Sequence, residues 1–401
     1  MKAYKFRLYP SVEQEKLLNN QLNLCRELYN AFLQQRIYAH KTGMSVNYNL
    51  QQDQIPPLKT GFKEYKSIHS QVLQDVARRV DRAYQNFYRR AQEKKAGKQI
   101  RAGFPRFKST DRYRSITYTQ SGFEILKNGH ITLSKIGIIR MFMHRQIEGE
   151  IKTLTISRDR VGDWFASFSV IPAKQEHTMI RSHAEKCVGG DVGLLHLITL
   201  SDGTIIEPSK FLSKGEKFLI KAQRNVSRKK KGSNNQERAR KNLAKKHRKI
   251  QRQRDDYAHK ASNMVLARGD IIALEDLNIA GMVKNHNIAK SIIDASWNTL
   301  VQYTTYKAES AGKVVVLVNP GGTSKTCSRC DRVKKDLTLS DRIFRCDCCG
   351  LEIDRDLNAA INIRNRGIAK VGRGTPELTP VEIGALPAMA TPIAEAGSPL
   401  C

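Results

Sequence analysis

The sequence predicts an α/β multidomain chain: a β-rich unit carrying an inserted helical segment, then an α/β half that holds a small metal-bound ribbon. Three observations predict it. Strand-like patterning opens the chain at Tyr4–Leu8 and returns only after residue 106, with helical periodicity between. Short buried-strand patterns then recur at 187–206, 270–277 and 313–320, separated by helical stretches. Two C-x2-C knuckles lie between the last of these strands and the final helix.

The first strand ends at Pro10, and Ser11 is a suitable N-cap for the helix that follows. Leu17, Leu24, Leu28 and Phe32 continue with helical spacing. Residues 40–66 are polar and read as loop. Ile68, Val72, Val76, Val80, Ala83 and Phe87 recur every three or four residues, which predicts a helix with one buried stripe. Arg78, Arg79, Arg82, Arg89 and Arg90 fall largely off that stripe. They form either a solvated face or a face that tracks phosphates. Residues 94–112 are basic and contain GFPRFK (103–108), which reads as a boundary. From there to about 178, ITYTQ, ITLSKIGIIRMF, TLTISRDR and WFASFSV read as strands, with a hairpin turn in RDRVGDW (158–164). The expected division is a β-rich domain of 1–20 and 106–178, with a helical domain of 21–105 inserted.

Residues 179–186 read as a linker. CVGGDVGLLHLITLSDGTII then gives three short strands in an antiparallel meander, with turns at Gly193 and at Asp202-Gly203. The stretch 214–262 is helical and strongly basic, with 16 Lys plus Arg against three acids between 221 and 260. SRKKKGS (227–233) breaks it in two. DIIALEDL (270–277) and KVVVLVNP (313–320) read as buried strands on either side of a helix at 294–311. A last helix starts within EIDRDLNAAINIRNRG (352–367). Residues 372–401 hold five of the 12 prolines and read as a flexible tail. The second half thus divides into an α/β domain of 183–325 and 350–371, a ribbon of 326–349, and the tail.

Charge narrows the function. Lys and Arg number 69 against 38 Asp and Glu in 401 residues, a net +31. Such a field opposes compaction and collects soluble polyanions, so nucleic acid is the expected partner, ahead of an acidic membrane surface. No run of 18 apolar residues suggests a membrane span, and MKAYKFRLYP lacks the apolar core of a secretory signal. Eight cysteines are too few for a disulfide framework. The expected location is the cytoplasm.

Cys327, Cys330, Cys346 and Cys349 form two knuckles separated by 15 residues, a spacing that presents four thiolates to one tetrahedral Zn²⁺. Cys348 cannot join in the usual knuckle geometry and reads as a bystander. Three carboxylates stand out by position. Asp191 sits in a strand among Gly189, Gly190 and Gly193, where a charge needs a partner or a metal. Glu275 ends the strand IIALE. Asp356 opens the last helix, either as its N-cap or as a metal ligand. Phosphodiester hydrolysis by two Mg²⁺ ions needs carboxylates converging from different elements of one sheet, inside a basic surface.

The motifs, in order, carry a family resemblance. They run G-x-D-x-G around Asp191, L-E-D-L around Glu275, W-x8-Y-K (Trp297–Lys307), P-x2-T-S-x2-C-x2-C, and D-R-D-x-N-A-A-x-N-I. R-L-Y-P (Arg7–Pro10) and G-F-P-R-F-K add to the set. Together they resemble TnpB, the RNA-guided nucleases of insertion sequences, related to type V CRISPR effectors. The resemblance covers nearly the whole chain except the tail. It implies an RNase H-like (RuvC) nuclease domain with an inserted zinc ribbon, and a β-barrel-like wedge domain carrying a helical recognition domain. It implies a guide RNA from the transposon end, and a double-stranded DNA target beside a short transposon-adjacent motif. Carried over by position, Asp191, Glu275 and Asp356 become the ligands of two Mg²⁺ ions, with Mn²⁺ as a substitute. Cys327, Cys330, Cys346 and Cys349 hold Zn²⁺. Tyr48 and Gln74 match family residues near the adjacent-motif duplex. Arg78 and Arg82 join them, and Arg228, Lys229, Lys230 and Lys231 are assigned to RNA or heteroduplex phosphates. A monomeric protein is expected. The competing readings are an RNA-guided binder that does not cut and a strand-joining transposase.

Overall fold

The computed structural model describes residues 1–172, 186–338 and 341–372. The chain divides into two compact units, Met1–Glu176 and His177–Cys401. Among the described residues no helix is long and apolar enough to cross a membrane. The linker and tail expected from composition lie outside the described residues, save their edge positions 186 and 372.

In the first unit, β1 (Lys2–Tyr9) leads into α1 (Val12–Lys41), α2 (Tyr48–Asp53), α3 (Ile55–Gly61) and α4 (Ser70–Lys95). Six strands follow: β2 (Ser115–Tyr118), β3 (Phe123–Leu126), β4 (His130–Leu133), β5 (Gly137–Phe142), β6 (Glu150–Arg158) and β7 (Trp164–Ile171). They form one antiparallel sheet in the order β2-β6-β7-β1-β5-β4-β3, so the first strand of the chain is laid between two of the late ones. Alternation in β1 sends Tyr4, Phe6 and Leu8 inward. The β6–β7 hairpin closes where Asp159 Oδ1 accepts the backbone N–H groups of Val161, Gly162 and Asp163, each at 2.9 Å.

α1 begins in a capping box in which Ser11 and Gln14 satisfy each other's backbone N–H. Its buried stripe is Leu18, Leu22, Cys25, Leu28, Tyr29 and Phe32; Leu17, expected in the core, is 42% exposed. Leu28 and Phe32 thus lie on the stripe as their spacing suggested, Leu24 is half-buried, and only Leu17 falls outside it. Helices and sheet share one hydrophobic core, which joins Phe6, Leu18, Val76, Ile116 and Phe168.

Two readings need correction. Residues 40–66 contain α2 and α3 rather than loop alone. Asn47 caps α2, Pro56 and Pro57 fit the first turn of α3, and Gln51 is buried with its amide donating to the Phe32 carbonyl at 2.8 Å. Polar residues here satisfy buried backbone instead of meeting water. Arg79 is not on an outer face. It bridges Asp75 at 2.6 Å and donates to the Ser115 carbonyl and Thr117 Oγ1 at 2.7 and 2.8 Å, tying α4 to β2.

The second unit starts with β8 (Cys187–Asp191), β9 (Ile198–Leu200) and β10 (Ile205–Ile206) in an antiparallel meander. A helical pair follows, α5 (Phe211–Ser227) and α6 (Asn234–Leu266). Then come β11 (Ile271–Glu275), α7 (Ile279–Met282), α8 (His286–Ala295), α9 (Trp297–Ser310), β12 (Val314–Val318), the small strands β13 (Ile343–Arg345) and β14 (Glu352–Asp354), and α10 (Arg355–Gly372). The main sheet runs β10-β9-β8-β11-β12, with β8, β11 and β12 parallel. β13 and β14 pair separately beside the cysteines.

Candidate metal centres and nucleic-acid surface

Strand pairing brings the first two acids together. In the parallel β8–β11 pair, Gly189 is opposite Ala273 and Gly190 opposite Leu274. The next residues, Asp191 and Glu275, therefore stand side by side at the carboxyl ends of adjacent strands, where open α/β sheets place ligands. Alternation puts them on the face of Gly189 and Ala273, and α10 lies on that face. A Cβ at Gly189 would sit 2.2 Å from the Ala360 carbonyl and 2.4 Å from the Arg364 nitrogen; one at Gly367 would sit 2.5 Å from Ala273 Cβ. Glycine at both positions lets the helix seat directly on the strands, which carries its first turn, with Asp356, over the strand ends.

Asp356 is not the N-cap. Asp354 Oδ1 accepts the backbone N–H of Asp356 and of Leu357 at 2.9 and 3.0 Å, so the cap is Asp354. The Asp356 carboxylate faces inward and takes an Arg355 guanidinium N–H at 3.3 Å. Burial pushes the Asp191 carboxyl well above the usual carboxylate range, and the charges of Glu275 and Asp356 push it further, with Arg355 opposing. Burial also raises Glu275, against the Thr323 hydroxyl, which donates to its Oε1 at 2.7 Å, and the charge of Arg366. Three converging carboxylates with this much unrelieved repulsion make a pocket suited to divalent cations.

Side chains without an assigned role in the sequence reading hold this arrangement. Asn362 donates to the Thr323 and Thr326 carbonyls at 2.8 and 2.7 Å, and Asn358 donates to the Thr326 carbonyl at 2.8 Å while its Oδ1 accepts from Ser328 N at 3.0 Å. Arg366 donates to the carbonyls of Asn319 and Gly321 at 2.7 and 2.8 Å. The loop after β12 is thereby bolted to α10, and Thr323 within it reaches Glu275. The T-S and N-A-A-x-N motifs signalled these residues, but not what they do.

The four knuckle cysteines meet. Cys327 and Cys349 sulfurs are 3.6 Å apart, as are those of Cys330 and Cys346, and all four lie within 4.8 Å of one another. Tetrahedral Zn–S bonds of about 2.3 Å need sulfurs roughly 3.8 Å apart, so the cluster fits a structural zinc. Cys348 is exposed and outside the set. Among the described residues this is the one group of three or more possible metal ligands drawn together in this way.

The nucleic-acid candidates fall on two surfaces. In the first unit, Gln74, Arg78 and Arg82 follow one another at i+4 along α4, and Arg78 lies over the Tyr48 ring at 6.0 Å. Arg78 and Arg82 are exposed, and Tyr48 and Gln74 half-buried. In the second unit, Arg228, Lys229, Lys230 and Lys231 are exposed in the turn between α5 and α6.

Comparison with known proteins covers both units. Residues 170–286 match a family model described as "Probable transposase" (OrfB of IS605), and residues 297–363 match the TNB domain model of Cas12f1-like proteins. Residues 1–44 match a model described as a helix-turn-helix domain, although here they form β1 and the single long helix α1. A Streptomyces pristinaespiralis protein named "Putative RNA-guided DNA endonuclease" is 34% identical over 92% of this chain and 90% of its own length. The equally named InsQ protein of Escherichia coli K12 is 31% identical over 93% and 94%. Among solved structures, the mini-RNA-guided endonuclease CRISPR-Cas phi3 aligns with a TM-score of 0.49 at 11% identity, over 92% of each chain.

Proposed function

Because this chain belongs to the TnpB family, the OrfB proteins of IS605-type insertion sequences, we propose that it is an RNA-guided, divalent-metal-dependent endonuclease. Its substrate is double-stranded DNA beside a short adjacent motif, and its guide is RNA from the transposon end. The single observation that carries the cutting activity is the convergence of Asp191, Glu275 and Asp356 on one sheet end. The strand order, numbered by sequence within this sheet as 3-2-1-4-5 with the second strand antiparallel, supports an RNase H-like reading of the nuclease domain.

Asp191, Glu275 and Asp356 would hold Mg²⁺ or Mn²⁺, and two such ions would suit phosphodiester hydrolysis. Bound there, the ions supply a Lewis acid for the attacking water and the leaving oxygen. Thr323 fixes the Glu275 carboxylate, and Arg355 offsets part of the repulsion around Asp191. The basic turn at 228–231 and the Tyr48–Gln74–Arg78–Arg82 surface supply phosphate and duplex contacts, while base pairing with the guide selects sequence. Thr323→Val should cut the turnover rate by about tenfold and raise the Mg²⁺ concentration needed for half-maximal rate, as loss of a ligand-orienting hydrogen bond does. A metal titration of single-turnover cleavage reads both.

The reading is tested by expressing the chain with its transposon-end transcript and offering duplexes with a fixed target and a randomised flank. Cleavage of a flank-selected subset is the expected result. Flank-selective binding with every duplex intact would replace it with a guided binder that does not cut.

A further inference from the structure

The paired helices α5 and α6 expose a feature that charge does not account for. Phe218 and Ile220 on α5 are 64% and 44% exposed, on the two sides of the helix strip that carries Lys221 and Arg228. The Lys246 ammonium lies 5.6 Å from the Phe218 ring centroid. Phe218 borders a cavity of about 410 Å³ that Lys221, Asn225, Arg228 and Asn242 also line. A neighbouring cavity of about 480 Å³ is lined by Lys217, Ile220, Arg224 and the same Lys221 and Arg228. No Asp or Glu lines either cavity. Among the described residues, none of Lys217, Lys221, Arg224, Arg228 and Lys246 is paired with a carboxylate.

We propose that this face binds a single-stranded stretch of nucleic acid, with one unpaired base stacked on Phe218 and its flanking phosphates held by Lys221, Arg228 and Lys246. Five cations without a carboxylate partner make this surface attractive to a polyanion. The phenyl ring decides which kind. A duplex keeps its base faces inside its own stack and offers phosphates and groove edges, for which cations suffice and an exposed ring is a liability. An unpaired base offers a π-face, and stacking on an aromatic ring tolerates any sequence. Lys246 on the ring adds cation–π attraction and a phosphate contact at the same point. Asn225 and Asn242 place neutral donors and acceptors where a base edge would lie. The proposal rests on the guided-nuclease reading and adds to it that this helical pair grips an unpaired segment, either of the guide RNA or of the displaced DNA strand.

The test uses the full chain carrying Asp191→Asn, so that cutting does not enter the readout. Phe218→Trp adds an indole at an exposed position, while Trp164 and Trp297 are only 2% and 3% exposed. Its fluorescence is followed against oligomers of roughly 12 nucleotides, within the range of single-strand site sizes. The four probes are oligo-U RNA, oligo-dT, a blunt duplex and an abasic strand of equal charge. Quenching by the single strands but not by the duplex or the abasic strand is expected. The strand that quenches at lower concentration identifies the source as RNA or DNA. Phe218→Ala should weaken single-strand binding at least about fivefold and duplex binding less than about twofold. Equal quenching by the duplex or the abasic strand would overturn the proposal in favour of plain charge attraction, and absence of quenching by any probe would overturn it outright. A chain with Asp191 intact that leaves matched duplexes uncut, while the Asp191→Asn, Phe218→Trp chain is quenched, would fault the nuclease reading alone; cleavage by the chain with Asp191 intact, without quenching in the variant, would fault this one alone.

Discussion

Asp191→Asn is expected to lower cleavage of a matched duplex by about a thousandfold or more, roughly 4 kcal/mol of transition-state stabilisation, while guide and target binding change by less than about twofold. The carboxylate follows the Gly190–Leu274 pair beside Glu275 and lies within the fields of Glu275 and Asp356, which makes it the first ligand of the proposed centre. The same change is expected to raise the melting temperature of the magnesium-free protein at pH 8. Burial, then Glu275 and Asp356, hold the folded-state Asp191 carboxyl above its ordinary value of 3.8, so the fold favours the protonated acid. Stability from this group is fully present below the unfolded value and is lost as pH rises through the folded one. Asn removes that loss. The difference in Tm between variant and parent should therefore vanish near pH 4 and widen above it, and added Mg²⁺ should stabilise the parent more than the variant. A variant that melts below its parent at pH 8 would make Asp191 a structural hydrogen-bonding residue and would weaken the metal-ligand assignment.

Much of this site was legible because strands and glycines constrain it locally. A charged residue among three glycines at the end of an apolar strand has few explanations, and the parallel pairing of β8 with β11 puts Asp191 beside Glu275. What local pattern could not decide was whether Asp356 caps its helix. Cap and ligand look alike in sequence, and the cap is excluded only because the Asp354 carboxylate takes the two free N–H groups. The bolts between α10 and the loop after β12 were not legible as bolts. Asn358, Asn362 and Thr323 act across 32 to 48 residues of chain, on carbonyls and a carboxylate with no sequence signature of their own.

In the first unit the strand pattern located β2, β6 and β7, since alternation is a local property. ITLSKIGIIRMF read as one run, yet it is β4 and β5 joined by a turn in which Lys135 and Gly137 take positive φ. Arg79 shows the opposite failure. By helical phase it belonged with its exposed neighbours, but Asp75 one turn earlier and the β2 edge beside it hold the half-buried arginine against the sheet. Residues 40–66 failed for the same reason, since Gln51 is polar by type and buried by partnership with Phe32 and Arg36.

Cys346→Ser is expected to release the bound zinc and to reduce cleavage about a hundredfold, whereas Cys348→Ser should keep one zinc per chain and cut like the parent. Adjacent in the same knuckle, the two cysteines do different work. The backbone N–H groups of Cys349 and Cys348 point at the Cys346 sulfur and bring its thiol down to about 6, so it is ready as a thiolate at neutral pH and zinc uptake there displaces fewer protons. Cys348 contributes that N–H from its backbone, which serine retains, while its own sulfur stays outside the cluster. Loss of zinc reaches the acids through hydrogen bonds. Ser328, between Cys327 and Cys330, donates to Asn358 on α10, and Thr326 and Thr323 are held by Asn358 and Asn362. Once the knuckle loosens, the first turn bearing Asp356 and the hydroxyl on Glu275 lose their alignment together. A colorimetric zinc count on each variant, beside single-turnover cleavage, checks this coupling. Full cleavage by a zinc-free Cys346→Ser chain would show that α10 holds the acids without the ribbon.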